Sequence, residues 1–332
     1  MKKRIALIYG GRGEEHGVSL MGYPYLSSLF DESKYELTPV LIDRSGKWYI
    51  ERDGRKVDTF PIRIGDGCGL LTDGGILPID CAFPLLHGVG GEDGCVQGAL
   101  ECAGIPYVGE NTLTSAVCFD KAYTKSVAVS FGIPTADFTL IKSGSSPEQG
   151  ADECEENLGY PIFVKPTRQG SSVGACAVYG RDSLIRALKE AMKYGDVLAE
   201  RLITPKRELE LAFIRYDSET VITYPSEIVC HGTYGYTEKY SGTTRTLLRA
   251  GISVCAYERL KEYSLRLIRA LDVRVMSRID FFLSGEEIYF NEINTMPGFT
   301  PESMYLKMIE AHGIAPKDAI DTLILHACGG RE

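Results

Sequence analysis

In Arg278-Ile279-Asp280-Phe281-Phe282 and Ile288-Tyr289-Phe290-Asn291-Glu292-Ile293-Asn294, charged and amide side chains recur among Phe and Ile at the two-residue period of a β-strand. Alternation puts Arg278 with Asp280 on one face, and Glu292 with Asn294 on one face of the next strand. Strands this rich in Phe and Ile are largely buried, and a buried carboxylate without a partner costs several kcal/mol or takes up a proton. Two arrangements meet that constraint. In one, two carboxylates and an amide hold a hard cation through oxygen, leaving positions for water and substrate phosphates, as Mg²⁺ prefers. In the other, Arg278 and Asp280 form a structural ion pair and Glu292 faces solvent.

The N-terminal end reads as a Rossmann-like unit. Arg4–Tyr9 is a short apolar run ending in glycines, as a buried parallel strand should. A helix from about Ser19 to Phe30 and a strand over Glu36–Ile42 follow, and Ala82–Leu86 is a further strand tip. Such alternation predicts a parallel sheet whose loops gather at the strands' carboxyl ends. The polar stretch Ser143–Asn157 is expected as a surface loop or a loosely held helix. Pro161–Val164 and Val197–Ala199 read as strands, Arg181–Lys193 as an amphipathic helix stopped by Gly195. A third unit has strands near Glu210–Arg215, Arg278–Leu283 and Glu287–Asn294.

The glycine turns at 10–17 and 88–94 miss the dinucleotide fingerprint at its third glycine, where His16 and Asp93 stand, and no P-loop is present. That argues against a dehydrogenase. Lys165-Pro166-Thr167-Arg168-Gln169-Gly170-Ser171-Ser172-Val173-Gly174 sets a lysine at the end of a strand beside small hydroxyl residues and glycines. Such a loop approaches phosphate closely and donates N–H and O–H groups to it; an ordinary hairpin with a solvated lysine fits equally.

Composition removes several function classes. The 332 residues are 44% hydrophobic and 24% charged, values that exclude wholesale disorder. Lys and Arg total 36 against 45 acidic residues, a net charge of −9, and no basic run of five exists. The chain therefore repels nucleic acid and anionic lipid. No apolar stretch approaches the roughly 18 residues of a membrane span. The ten cysteines include no C-x-x-C pair, and Cys102, Cys118 and Cys176 lie in apolar segments. They are expected as reduced, small hydrophobes in a cytoplasmic protein, without zinc.

Together these segments resemble the ATP-grasp ligases and, within them, are similar to the D-alanine–D-alanine ligases. The match runs over nearly the whole chain: Gly10-Gly11…Glu15-His16-Gly17-Val18-Ser19-Leu20, His87-Gly88 with Gly91-Glu92-Asp93-Gly94, and Asp120-Lys121. It continues through Lys165-Pro166…Gly170-Ser171-Ser172-Val173-Gly174, Glu238-Lys239-Tyr240, Arg278-Ile279-Asp280 and Asn291-Glu292-Ile293-Asn294-Thr295-Met296-Pro297-Gly298. The resemblance implies an α/β chain, α+β in parts. A Rossmann-like N-terminal domain (1–109) precedes two ATP-grasp subdomains (110–203 and 204–332), with a lid at about 231–249.

By the same resemblance, ATP phosphorylates one D-alanine's carboxylate, and a second D-alanine's amine attacks the acyl phosphate. Asp280, Glu292 and Asn294 would hold two Mg²⁺ or Mn²⁺ ions on ATP. Lys121 and Lys165 would contact the α- and β-phosphates, the Ser171-Ser172 loop would close over them, and Lys239 would reach the γ-phosphate. Adenine would lie against Glu200-Arg201-Leu202-Ile203 and Glu208 would hold the ribose. Glu15 would bind the first substrate's ammonium, with His87 near its carboxylate. Ser171, Tyr240 and Glu15 would form a hydrogen-bonded triad. Arg278 would stabilise the oxyanion, and Ser303 and the Gly298 backbone would bind the second carboxylate. Relatives making D-alanyl–D-lactate carry histidine in place of the lid tyrosine, and D-serine-using relatives commonly carry arginine where this chain has Met304. Tyr240 and Met304 therefore imply D-alanine at both sites. A homodimer through the first domain is also implied.

Some positions depart from the family pattern. Gly17 replaces an acidic residue, Leu306 a proline, and Glu302 an uncharged or histidine side chain; the Glu200–Glu208 segment is one residue longer. Glu302 either repels the incoming carboxylate or points to solvent. A D-alanine–D-serine ligase, another ATP-grasp carboxylate–amine ligase and a silent ATP-binding homologue stay open as alternatives.

Overall fold

The computed structural model describes residues 1–52, 54–217, 219–229 and 245–329. Its first sheet has the order β4-β3-β2-β1-β8, from β1 (Lys3–Gly10), β2 (Tyr35–Ile42), β3 (Trp48–Arg52), β4 (Arg55–Asp58) and β8 (Cys81–Leu85). Only β2-β1-β8 is parallel; β3 and β4 join antiparallel, so the all-parallel expectation holds for the centre of the sheet alone. β1 is apolar on both faces because both are covered. Ile5 and Leu7 enter one core, Ala6 and Ile8 another. At Gly10, φ is +96° and a Cβ would stand 2.2 Å from the Ile42 carbonyl oxygen, so no other residue fits where the chain leaves the strand. Helix α1 (His16–Leu29) follows, and α2 (Cys95–Ala103) buries Val96 and Leu100 in the core that holds Ala6 and Ile8. The three strands β5 (Phe60–Ile64), β6 (Gly67–Thr72) and β7 (Gly75–Pro78) form a small antiparallel sheet that the sequence did not announce.

The second large sheet is antiparallel, β11-β10-β12-β9, from β9 (Phe138–Ile141), β10 (Ile162–Pro166), β11 (Cys176–Val178) and β12 (Val197–Arg201). One face is covered by α5 (Pro147–Asn157) and α6 (Arg181–Ala191), which bury Ala151, Cys154, Leu184 and Leu188 against Ile162 and Val164. The expected loop or loose helix at 143–157 is a well-capped helix. Ser146 and Gln149 form a capping box, and Pro147 opens the first turn.

The third sheet, β16-β15-β13-β17-β18 with β14 on β13, comprises β13 (Arg207–Tyr216), β14 (Glu219–Ile222), β15 (Ser226–Val229), β16 (Arg245–Leu247), β17 (Met276–Ser284) and β18 (Glu287–Asn294). Helices α3 (Thr112–Phe119), α4 (Lys121–Ser130) and α7 (Val254–Ala270) pack on one face with Leu211, Phe281 and Phe290. Helices α8 (Met304–Ala311) and α9 (Pro316–Cys328) instead share a core with β1, β8 and α1, where Tyr305, Ile320 and Leu323 meet Ile5, Leu26 and Phe83. Of the cysteines expected as small hydrophobes, Cys118 is buried but Cys102 and Cys176 are exposed. Among the described residues no helix is long and apolar enough to cross a membrane.

Candidate active site

The second and third sheets face each other across a cavity of about 130 Å³. β10 brings Lys165, β12 brings Glu200, and the turn after it Leu202 and Ile203. From the third sheet come Glu208 and Glu210 on β13, Arg278 and Asp280 on β17, and Glu292 on β18. Lys121 enters from the first turn of α4, whose N-cap, Asp120, accepts from the Ala122 and Tyr123 N–H groups. The Lys121 N–H donates to the Thr167 carbonyl at 3.0 Å and its ammonium to the Gln169 carbonyl at 2.8 Å, which ties the helix start to the serine loop. Ser171 and Ser172 line the same cavity with φ of 50° and 57°. Those left-handed conformations cost roughly 1–2 kcal/mol per L-residue.

Charge in the cavity is paired but not exhausted. Arg278 donates to both Asp280 oxygens, at 2.8 and 2.7 Å, and lies 3.2 Å from Glu210. Burial works against its charge; Asp280 and then Glu210 outweigh it and hold the guanidinium well above its ordinary pKa. Asp280 and Glu292 are cross-strand partners, as are Arg278 and Asn294, and the Asn294 amide points at Asp280 across 3.4 Å. Glu292 is 3.4 Å from Lys121. Of the two readings of these strands, the Arg278–Asp280 ion pair is present, but Glu292 does not face open solvent: it lines the same cavity beside Lys121. Among the described residues no three His, Cys, Asp or Glu cluster as a metal site by themselves. Two carboxylates and an amide fit a hard cation that draws its other oxygens from a substrate.

The serine loop reaches the first sheet through Glu15, just ahead of α1. Ser171 Oγ donates to Glu15 Oε1 at 2.7 Å. The other oxygen is seated between two glycines: a Cβ on Gly88 or Gly170 would stand 2.7 or 2.6 Å from it. His87 is buried beside this pair, its Nδ1 3.2 Å from the Met296 carbonyl. Glu92 accepts from the Gly88 N–H at 2.8 Å. Burial, then the charge of Glu15, pushes its carboxyl up to about 8, while the Gly88 N–H and Lys121 pull the other way. The folded pKa lies above the unfolded one, so this contribution to stability is complete below about pH 4.5 and is lost as pH rises through about 8. Glu92→Gln is therefore expected to raise the urea midpoint near pH 8, with the two proteins converging near pH 4.5. Equal midpoint differences at both values would remove the assignment.

Gly298 lets the Ser303 hydroxyl approach, since a Cβ there would stand 2.6 Å from it. Ser303 accepts from the Thr300 N–H at 3.0 Å and stands at the N-cap position of α8 without a side-chain bond to the helix, whose first residue is Met304. Glu302 points to solvent, 91% exposed and 2.9 Å from Lys307, so it does not aim at Ser303. Gly17 lies in the first turn of α1 with open space around it, and Leu306 is core. Glu208 is 3.0 Å from Lys206, which lies over the Phe282 ring. Tyr240, Lys239 and the lid over 231–244 lie outside the described residues.

Three buried charges went unassigned from sequence: Glu210 in the cavity, Lys125 behind it, and Glu110 away from it beside the start of β17. For Glu210 a signal existed. It lies in the run Arg207–Tyr216 at the strand period and pairs in register with Asp280. Lys125, one helical turn after Lys121, looked like a solvated helix position.

This geometry has close counterparts. The family model described as D-ala D-ala ligase C-terminus matches residues 127–325, and that described as D-ala D-ala ligase N-terminus matches 70–110. A D-alanine--D-alanine ligase of Clostridium novyi is 37% identical over 98% of this chain and 97% of its own length; one of Clostridium acetobutylicum is 37% identical with the same coverage. Among solved structures, the VanG D-Ala:D-Ser ligase of Enterococcus faecalis superposes with a TM-score of 0.89 at 33% identity, covering 98% of this chain and 100% of that one. D-alanyl-alanine synthetase A of Vibrio cholerae gives 0.88 at 32% identity, covering 99% of each. With the ATP-grasp architecture shared over the full length and the family models matched at both ends, the chain belongs to the D-alanine–D-alanine ligase family.

Proposed function

We propose that the protein joins two D-alanines at the expense of ATP, through a D-alanyl phosphate. The observation that carries this reading is one cavity holding Lys121, Lys165 and the Ser171-Ser172 loop opposite Arg278, Asp280 and Glu292, with Glu15 tied to the loop by Ser171. Lys121 and Lys165 take the phosphates, and the hinge at Glu200, Leu202 and Ile203 takes the adenine. Glu208 takes the ribose, which displaces Lys206. Mg²⁺ or Mn²⁺ held by Asp280, Glu292 and Asn294 neutralises phosphate charge when bound.

Glu15 holds the first D-alanine by its ammonium, with His87 at its carboxylate. Transfer of the γ-phosphoryl group to that carboxylate gives ADP and the acyl phosphate. The amine of the second D-alanine, oriented by Ser303 and the Gly298 backbone, attacks the acyl carbon. The carbon–oxygen bond to phosphate breaks as the peptide bond forms, and Arg278 steadies the oxyanion between the two events. Lys239 and Tyr240, on the lid, exclude water from the acyl phosphate. A homodimer working in the cytoplasm, supplying the dipeptide of the cell-wall precursor, completes this reading.

The test is phosphate release from Mg-ATP with D-alanine, D-serine and D-lactate offered alone and in pairs, products identified by mass. D-alanyl-D-alanine from D-alanine alone is the expected result; ATP binding without phosphate release under any condition overturns it. The likeness to a D-Ala:D-Ser ligase makes the second site worth separate attention. Met304, at the start of α8, is half-buried against the core under Ser303. Met304→Arg is expected to raise the share of D-alanyl-D-serine when both amino acids compete. An unchanged ratio would remove Met304 as the determinant.

A further inference from the structure

Lys165 does not meet the cavity as an isolated cation. Its ammonium is 2.7 Å from Glu200 Oε2 and donates to Asn291 Oδ1 at 3.1 Å. The other oxygen of Glu200 is 2.7 Å from the ammonium of Lys125. Lys125, on α4, is 1% exposed and also donates to the Phe290 carbonyl at 3.1 Å. One buried carboxylate therefore lies between two ammoniums, one on each oxygen. Lys165 lines the cavity and Lys125 lies behind it.

The charge balance decides what this arrangement does. A carboxylate in contact with an ammonium cancels roughly half of its attraction for a phosphate touching the ammonium, since Coulomb energy falls only as the inverse of distance. Were Glu200 paired with Lys165 alone, the phosphate-facing lysine would keep only the remainder. With Lys125 on the far oxygen, the cluster carries one net positive charge, and its exposed pole is Lys165. We infer that Lys125 is a positioning residue for phosphate binding, which compensates Glu200 from behind and so leaves the charge of Lys165 available to a nucleotide's phosphates. Burial by itself would neutralise Glu200, yet Lys125 and then Lys165 hold it down at about 2. Burial in turn draws Lys125 down to about 8 against the pull of Glu200, so carboxylate and compensating ammonium are both charged below about pH 8, where the measurement is made. The inference rests on the reading of this cavity as an ATP site.

The experiment compares the full chain's equilibrium affinities for ADP and for adenosine, which share the hinge contacts and differ in the phosphates. In the wild type the ratio of the two reports the phosphate contribution; binding of neither ligand would defeat the nucleotide reading itself. Lys125→Met keeps the length of the side chain and removes its charge, and is expected to lower the ADP-over-adenosine preference on the order of tenfold, the scale of one charge-assisted contact. Lys125→Arg, which restores the charge, should keep the preference. Lys125→Met combined with Glu200→Gln should recover it, because the carboxylate that masks Lys165 is gone; a lost packing contact would not be rescued this way. A preference unchanged in Lys125→Met, or lowered and not recovered in the double variant, overturns the inference while leaving the ATP site intact. Should Lys125→Met not fold, the double variant decides alone: it keeps one net positive charge at Lys165 and must match the wild-type preference, and a tenfold fall would sink the charge-compensation argument.

Discussion

Arg278→Met should lower turnover of the ligation by about 10²–10³ while ADP still binds. Two consequences combine. The oxyanion formed as the amine attacks loses a fixed charge that the fold has already positioned, held by both oxygens of Asp280 and by Glu210. The two carboxylates, paired in register across β13 and β17, then face each other without the guanidinium between them. Arg278→Lys should recover little, because an ammonium lacks the planar fork that spans both Asp280 oxygens and Glu210. The measurement is steady-state phosphate release alongside ADP titration. A turnover within tenfold of wild type, with ADP binding intact, would take Arg278 out of the chemistry.

Glu110→Ala should destabilise the fold by about 3–5 kcal/mol, the range for stripping a buried charge from its partners. Glu110 is 2% exposed and receives the backbone N–H groups of Arg274, Val275 and Met276 at 2.8, 2.7 and 3.0 Å. These are the residues where the chain enters β17, two positions before Arg278. Alanine would orphan buried donors, each costing about 1–3 kcal/mol when left unmade. Glu110→Gln, which keeps one carbonyl oxygen, should lose about half as much. The shift in urea midpoint measures both. A loss under 1 kcal/mol for alanine would mean that water or a neighbour replaces the carboxylate.

Glu110 also shows where sequence reading stops. It stands in a polar connection after Val108-Gly109, and nothing in its neighbours tells that its partners lie more than 160 positions on. Charges whose partners fall on the same or the next strand were legible. Alternation alone put Arg278 with Asp280 and Glu292 with Asn294, and all four meet. Lys165 was legible as a candidate because a glycine–serine loop follows it within five residues, and it does line the cavity. Lys125 was not, since on a helix only the fold decides which of two lysines a turn apart faces the cavity and which the interior. The strands at 48–78 escaped for another reason. They are short hairpins, and their weak alternation is broken by glycines at 54, 65, 67, 69, 74 and 75. The capped helix at 147–157 hid behind its acidic composition, although Ser146-Pro147-Glu148-Gln149 carries the capping signature in plain view.

The shared core of the first sheet and the last two helices has a consequence for how the chain is made. Ile5, Leu7 and Phe83 leave the ribosome more than 200 residues ahead of Tyr305, Ile320 and Leu323, which help to cover them. Until α8 and α9 have been made, that face of the sheet is covered only in part, by Leu26 and Leu29 of α1, and its closure is a long-range event of the slow kind. A nascent chain of this design waits with an open apolar face, and nicking or trimming before α8 would return it to that state.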